Sequence, residues 1–266
     1  MKTYLSFFKL RFNIALQYRF AAIAGVATQF FWGAMLIMIY EAYYRANISI
    51  PMEWNALISY VWLGQAFFYL TRFNCSDTDI SESIISGNVS YEYIRPLNVY
   101  FIWFSKLLAN KVAGTCLRFI PIIIVAFLLP TQYRIGMPAS FTNFILFLIT
   151  LILGAFLTVG VAMLIYVIMF YTTSSKGLFN VYSVIAEFFA GSVIPIPFMP
   201  KFLQDICYLL PFRLSIDLPF RLYVGNISVR DGLISVAIQI AWIIIITLLG
   251  NYLINKVSKK LVVQGG

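Results

Sequence analysis

Long apolar runs alternate with short polar segments along most of the chain. Six of these runs approach or exceed the roughly 20 residues that an α-helix needs to cross a bilayer. They lie at about residues 20–40, 56–73, 111–129, 141–171, 178–194 and 233–254. A β-barrel would show short segments of alternating polarity, which this sequence lacks. The pattern therefore predicts an all-α polytopic membrane protein with six transmembrane helices.

The first 19 residues follow a different pattern. Polar side chains recur every three or four positions and mostly apolar residues fill the intervals, so that one helix face is polar. Basic residues on such a face are typical of helices that lie in the headgroup region of a membrane. We predict an amphipathic interfacial helix over residues 2–19, the alternative being a simple flank of the first span. The polar positions are Lys2, Ser6, Lys9, Asn13 and Gln17.

Residues 72–106 form the longest polar interruption in the first half of the chain. Asp79 and Glu82, three residues apart, predict the start of a short helix as an N-cap pair. Gly87 supplies a left-handed stop. The helix would carry an apolar stripe, and it would lie either on the membrane surface or against a soluble partner. The stripe consists of Ile80, Ile84 and Ile85.

Residues 195–231 are apolar and aromatic but hold five of the ten prolines. Prolines this dense preclude one continuous helix, because each lacks a backbone N–H and clashes with the preceding turn. Short re-entrant or interfacial helices between spans five and six fit the pattern better. The prolines are Pro195, Pro197, Pro200, Pro211 and Pro219.

The charge distribution predicts the orientation of the chain. Only 11% of the residues are charged, against about 25% in soluble domains. If six spans place both termini in the cytoplasm, twelve basic residues fall inside, six fall outside and Arg118 lies in the membrane. That asymmetry favours cytoplasmic termini, a cytoplasmic 72–106 loop and an external 195–231 segment. The net charge of +9 then reflects cytoplasmic loops rather than nucleic-acid binding.

Sequence signals for catalysis are missing. The chain has no histidine, and its three cysteines include no close pair that would indicate a disulfide or metal site. No GxxxxGK[ST] pattern marks a nucleotide-binding loop. We therefore predict a non-catalytic protein that binds no cofactor directly, with a membrane enzyme as the least favoured class.

Two ionisable residues fall inside predicted spans. Arg118 lies about seven residues into span three and Glu187 about ten into span five, so their depths would differ by about 5 Å. An unpaired charge at that depth is costly. We predict either an ion pair between packed helices or a position on a substrate pathway.

Four motifs occur in a characteristic order. Residues Ile84 to Leu97 contain an I-x-x-G…RPL element, and Ala190 to Pro195 resembles SG-x-x-x-P, with Ala190 in place of the usual serine. Leu210-Pro211-Phe212 and the C-terminal Val262 to Gly266 complete the set. Together with the order of predicted elements, they make the whole chain resemble the permease subunits of bacterial type-2 ATP-binding-cassette (ABC) transporters. The likeness is greatest to half-size permeases encoded apart from their ATPase.

The resemblance implies an exporter half in the bacterial plasma membrane. Two six-span permeases, identical or related, would surround the pathway in contact with membrane lipid, and nucleic acid is not an expected partner. Two copies of a separate ABC ATPase would bind ATP and magnesium and drive transport. The alternative, a stand-alone secondary carrier or assembly scaffold, would have no ATPase. A carrier should show internal repeats, and residues 1–130 and 131–266 show no convincing one.

The resemblance also implies roles for particular residues. The short cytoplasmic helix would be a coupling helix that enters a cleft of the ATPase, with contacts from Ile80, Ile84, Ile85, Tyr91, Glu92 and Arg95. The re-entrant segment would form an external gate that includes Gly191, Pro195, Pro197, Pro211 and Phe212.

Overall fold

The structure is a computed structural model that describes residues 2–46, 51–93, 96–172 and 175–258. Every regular element in these ranges is helical, which confirms the predicted all-α class. Two short 3-10 helices, Ile196–Phe198 and Phe212–Ser215, accompany the α-helices. The α-helices are α1 (Lys2–Ala15), α2 (Arg19–Arg45), α3 (Trp54–Ala66), α4 (Phe68–Thr71), α5 (Thr78–Ile85), α6 (Val89–Tyr93), α7 (Val99–Leu128), α8 (Phe141–Met169), α9 (Ser175–Phe189), α10 (Lys201–Leu209), α11 (Asp217–Tyr223) and α12 (Val229–Ser258).

Four helices in the described ranges, α2, α7, α8 and α12, are long and apolar enough to cross a membrane. Predicted spans two and five fall on shorter helices. Predicted span two divides into α3 and α4 at Phe67. Predicted span five is α9, which ends before Gly191, a glycine with a φ of +82°. Length and composition therefore identify four spans where the hydrophobic pattern predicted six.

Helix α7 begins at Val99, well before the predicted start of span three at residue 111. Asn98 caps it, because its side-chain oxygen accepts a hydrogen bond from the Tyr100 N–H at 2.9 Å. The first turns are stabilised by burial, since Tyr100 and Trp103 are fully covered by protein. The long third helix thus starts within residues 72–106, so the segment between α4 and α7 is shorter than the sequence pattern suggested.

Helix α8 is the centre of the packing. Within its apolar stretch 61% of the residues are buried, against 22–33% in the other three candidate spans. Helix α12 lies along it, and the Gln239 amide donates hydrogen bonds to the carbonyls of Thr150 and Leu214, both at 2.9 Å. The weaker burial of α2 and α12 leaves apolar surface that the described residues do not cover.

The proline-rich segment 195–231 forms short helices, as its sequence predicted. It folds back against the middle of α8, where Gly154 permits close approach. A Cβ atom at Gly154 would lie only 3.0 Å from the Cα of Ser215. The part of the segment around α11 is therefore packed inside the protein, since Ser215, Asp217 and Phe220 are all fully buried.

Candidate functional site

The segment between α4 and α7 contains the predicted coupling helix, α5. Its N-cap is Asp77, whose carboxylate accepts a hydrogen bond from the Ile80 N–H at 3.2 Å. The predicted cap, Asp79, lies within the first turn instead, where a carboxylate still interacts favourably with the helix dipole. The predicted stop is confirmed, because Gly87 follows the helix with a φ of +76°.

The isoleucines of α5 divide between two environments. Ile80 and Ile84 are buried, 1% and 7% exposed, in a cluster with Trp103 and Tyr166. Ile85 is 53% exposed. Ile80 and Ile84 therefore anchor α5 to its own chain, which leaves Ile85 as the isoleucine available to a partner.

The remaining coupling candidates lie in and beyond α6. Tyr91 is exposed. Glu92 is occupied internally, since its carboxylate accepts a hydrogen bond from the Trp103 indole at 2.7 Å and lies 4.0 Å from the Lys106 ammonium. Arg95 lies outside the described residues. Of the two candidates that the structure describes, Tyr91 is thus the exposed one.

The exposed side of α5 borders a shallow groove of about 580 Å³. It combines two carboxylates, one large apolar side chain and small polar groups. Such a surface suits a partner that offers basic and apolar groups together. The groove is lined by Asp79, Glu82, Ser83, Ile85, Ser86 and Asn88.

Asp77 connects this segment to the rest of the molecule. Its carboxylate lies 3.3 Å from the Arg11 guanidinium of α1 and accepts a hydrogen bond from the Asn110 amide of α7 at 3.1 Å. The Tyr166 hydroxyl of α8 accepts from the Asp77 N–H at 2.7 Å and donates to the Cys75 carbonyl at 3.0 Å. Helix α5 is therefore attached to three other helices at its first turn.

Sequence reasoning missed Asp77 and Tyr166. An aspartate before the first helical residue is a detectable N-cap signal, and Asp77 carries that signal two residues before Asp79. The role of Tyr166 depends on a contact across 89 positions, for which the local sequence contains no signal.

The two predicted intramembrane charges do not pair with each other. The Glu187 carboxylate accepts a hydrogen bond from the Phe73 N–H at 3.3 Å, at the end of α4. The buried Lys111 ammonium donates nearby to the carbonyls of Leu70 and Arg72, at 2.9 and 2.6 Å. Glu187 and Lys111 thus hold the chain in place where it leaves α4. Glu187 makes this contact instead of the predicted ion pair with Arg118.

Arg118 lines a different cavity from Glu187. It donates a hydrogen bond to the Gly114 carbonyl at 2.9 Å, and its guanidinium stacks 4.5 Å from the centre of the Tyr69 ring. Arg72 stacks on the same ring at 3.9 Å. The tyrosine thus holds two cations, a favourable contact for its electron-rich face.

A cavity of about 440 Å³ lies among α2, α3, α4, α9 and the 195–231 segment. Its lining is mainly aromatic and aliphatic, with polar groups from Thr28, Gln29, Gln65, Thr71, Arg72, Glu187 and Ser192. Apolar walls with a few fixed polar groups are typical of small-molecule sites. The apolar lining includes Trp32, Leu36, Tyr40, Tyr60, Val61, Phe68, Pro195, Ile216 and Phe220.

Of the predicted gate residues, Pro195 lines this cavity, and Gly191 contacts Tyr60 in its wall. The Gly191 carbonyl accepts a hydrogen bond from the buried Tyr60 hydroxyl at 2.9 Å. Pro195 and Pro197 flank and enter the first 3-10 helix, and Pro211 precedes the second. Phe212 packs edge-on against Phe73 with ring centres 5.4 Å apart, so the 195–231 segment contacts the chain just after α4.

A buried polar network stabilises the same segment. Asp217, fully buried, forms an ion pair with Arg221 at 3.2 Å, and its N–H donates to the Ala190 carbonyl at 3.2 Å. Arg221 also donates to the Tyr208 hydroxyl, while Arg213 stacks on the Tyr208 ring at 4.3 Å. Burial raises the pKa of the neighbouring Cys207 thiol above its ordinary value, which keeps it protonated.

The described residues contain no cluster of three or more His, Cys, Asp or Glu side chains that would hold a metal ion. No curated protein shows significant similarity to the chain. The sequence model of a family described as "ABC-2 family transporter protein" matches residues 30–265, nearly the whole chain. The sequence motifs, the apolar helices and this match agree, and the chain belongs to the ABC-2 transporter family as a permease subunit of a type-2 ABC transporter.

Proposed function

We propose that this permease forms half of an export pathway and is driven by a separate ABC ATPase through the segment 72–98. The observation that carries the proposal is the two-sided character of α5. One side is fixed to α1, α7 and α8 through Asp77, Ile80 and Ile84, while the other presents Ile85 and an acidic groove. A partner that moves the exposed side would move the attached helices with it.

Two ATPase subunits, which carry the ATP and magnesium, would bind two permeases. Closure of the ATPase dimer would displace α5 and α6, and the attached helices would switch the cavity between its inward-facing and outward-facing states. The exposed contacts would be Ile85, Tyr91 and Glu82. Glu92 would act indirectly, because it positions α6 against α7 through Trp103.

The proposed topology has six spans with both termini in the cytoplasm of a bacterial cell. Residues 54–71 extend about 27 Å and α9 about 23 Å at about 1.5 Å per residue, close to the roughly 30 Å hydrocarbon layer. Both are supported by the 195–231 segment, which would be re-entrant from the outside and form the gate. A short span is tolerated where protein, rather than lipid, covers its ends.

The 440 Å³ cavity would be one half of the substrate pathway. A second permease, identical or related, would complete it and cover part of the apolar surface of α2. Glu187 and Arg72 would contact the substrate at the end of the cavity near α4, and Gly191 and Pro195 would border it at the gate.

Affinity purification from the native membrane in a mild detergent, followed by mass spectrometry, tests the proposal. We expect an ABC ATPase to co-purify with the wild-type chain. The double variant Ile85→Asp/Tyr91→Ala should lose the ATPase, while Leu209→Asp, on the exposed face of α10, should retain it. Recovery of the chain alone, without ATPase activity, would instead favour a stand-alone carrier or scaffold.

A further inference from the structure

Arg118 carries a positive charge inside α7, a membrane-spanning helix, without a carboxylate within 4.0 Å among the described residues. Within the described residues, its one hydrogen bond to protein is donated to the Gly114 carbonyl. A guanidinium has five N–H donors, so most of its donor capacity remains unused. An uncompensated charge in a span requires an anion or water.

The Arg118 side chain is directed toward the N-terminal end of α7, which follows the polar segment. Its acceptor, Gly114, lies one turn nearer to that end, so the guanidinium extends toward the membrane interface. It is held between Tyr69 and Gly25: a Cβ atom at Gly25 would lie 2.6 Å from the Arg118 Nε atom. Three helices, α2, α4 and α7, therefore fix its position.

The guanidinium lines a cavity of about 450 Å³ that also contacts α1. Two carboxylates, Asp77 and Asp79, border this cavity, and both are bound by Arg11. Both carboxylates face Arg11 and neither lies within 4.0 Å of Arg118, so the donors of the Arg118 guanidinium remain available to a ligand.

The other lining residues indicate the nature of that ligand. Polar groups such as Asn110 and Thr78 lie in the same cavity as the apolar Ile14, Ala21 and Leu117. Phe20 and Ile23, next to this region on α2, are 89% and 66% exposed. A ligand with an anionic head and apolar chains fits both kinds of surface, as a soluble anion does not.

We propose that Arg118 binds the phosphate group of a membrane phospholipid in this cavity. The head would occupy the space between α1 and α7, and the acyl chains would lie along the exposed apolar face of α2. The bound lipid would neutralise Arg118 and fill the gap between the amphipathic helix and the bundle. This cavity shares no lining residue with the proposed substrate pathway and shares only Asp79 with the groove beside α5, so its test requires neither a substrate nor an ATPase.

Native mass spectrometry of the delipidated full chain in detergent tests the site. Phosphatidylglycerol, diacylglycerol with the same acyl chains and inorganic phosphate are titrated separately. We expect one tightly bound phosphatidylglycerol, about ten-fold weaker binding to Arg118→Gln, and partial retention by Arg118→Lys. Diacylglycerol should bind weakly because it lacks the phosphate.

Two further variants separate binding from folding. Gly25→Ala keeps the charge but displaces the guanidinium, so it should also weaken phosphatidylglycerol binding while the circular dichroism spectrum is retained. Arg19→Gln removes an exposed basic residue at the start of α2 and should leave binding unchanged. Wild-type affinity in both Arg118→Gln and Gly25→Ala would overturn the proposal. Equal binding of diacylglycerol would also overturn it, because diacylglycerol lacks the phosphate group. Full competition by inorganic phosphate would overturn it as well, because it would indicate a site for a soluble anion.

Discussion

Arg11 of α1 and Asp77 at the N-cap of α5 form an ion pair with 3.3 Å between the guanidinium and the carboxylate. The pair joins the amphipathic N-terminal helix to the proposed coupling helix, and Arg11 also binds Asp79. Since α1 packs along α7, we expect a displacement of α5 to move α1 and α7 together. Four predictions test this architecture.

Substitution Asp77→Ala removes the N-cap, the Arg11 ion pair and the acceptor of the Asn110 amide. The cap alone contributes about 1 kcal/mol, and the loss of the half-buried pair should raise the total to about 2–3 kcal/mol. We expect a lower thermal unfolding midpoint in detergent and loss of substrate-stimulated ATPase activity in the complex. Asp205→Ala, which removes an exposed ion pair with Lys201, is the control and should change neither. Equal effects of the two variants would contradict the structural role of Asp77.

Substitution Tyr166→Phe removes one hydroxyl that bridges the Asp77 N–H and the Cys75 carbonyl, while the ring packing against Trp103 and Phe179 is retained. The two buried backbone groups lose their partner, at a cost of about 1–3 kcal/mol. Hydrogen exchange should become faster at the amides of residues 77–80. Tyr171→Phe, at an exposed tyrosine, should leave exchange there unchanged. Unaltered exchange in Tyr166→Phe would exclude this bridge.

Substitution Gly191→Ala should destabilise the segment beyond α9 for two reasons. A φ of +82° costs a non-glycine residue about 1–2 kcal/mol, and the added Cβ would lie 3.1 Å from Ile196. Gly87→Ala is a matched control, because its φ is +76° and no atom lies within 4 Å of the added Cβ. The difference between the two unfolding midpoints therefore measures the packing contact, and Gly191→Ala should be the less stable. An equal loss in both variants would show that backbone strain accounts for the whole effect.

Substitutions at Glu92 and Glu82 should have opposite consequences. Glu92→Ala leaves the buried Trp103 indole without its acceptor, so the unfolding midpoint should fall by an amount that corresponds to about 1 kcal/mol. Glu82→Ala changes an exposed side chain in the groove beside α5, so stability should be unchanged and ATPase binding should weaken. Thermal unfolding and co-purification, measured on both variants, distinguish the two roles. Weaker ATPase binding with unchanged stability in Glu92→Ala would instead place Glu92 on the contact surface.

The sequence alone determined the class of the protein and the approximate position of its main elements, although α7 begins at Val99 rather than at residue 111. Apolar runs of 20 residues or more have few stable environments other than a bilayer, so composition and run length sufficed for the four long helices. The five prolines between 195 and 219 excluded a continuous helix by their covalent geometry. The short helix between spans followed from local cap and stop signals, although the cap itself is Asp77 rather than Asp79.

Tertiary structure decided which neighbours these elements meet. Periodicity placed Ile80, Ile84 and Ile85 on one apolar stripe, but a stripe is equally compatible with burial in its own chain and with contact to a partner. The aromatic cluster around Tyr166 covers the first two and leaves Ile85 exposed. Similarly, rise per residue fixed the depths of Arg118 and Glu187 but not their directions around the bundle. Those directions depend on helix packing, which places Glu187 beside Phe73 and Arg118 in a separate cavity.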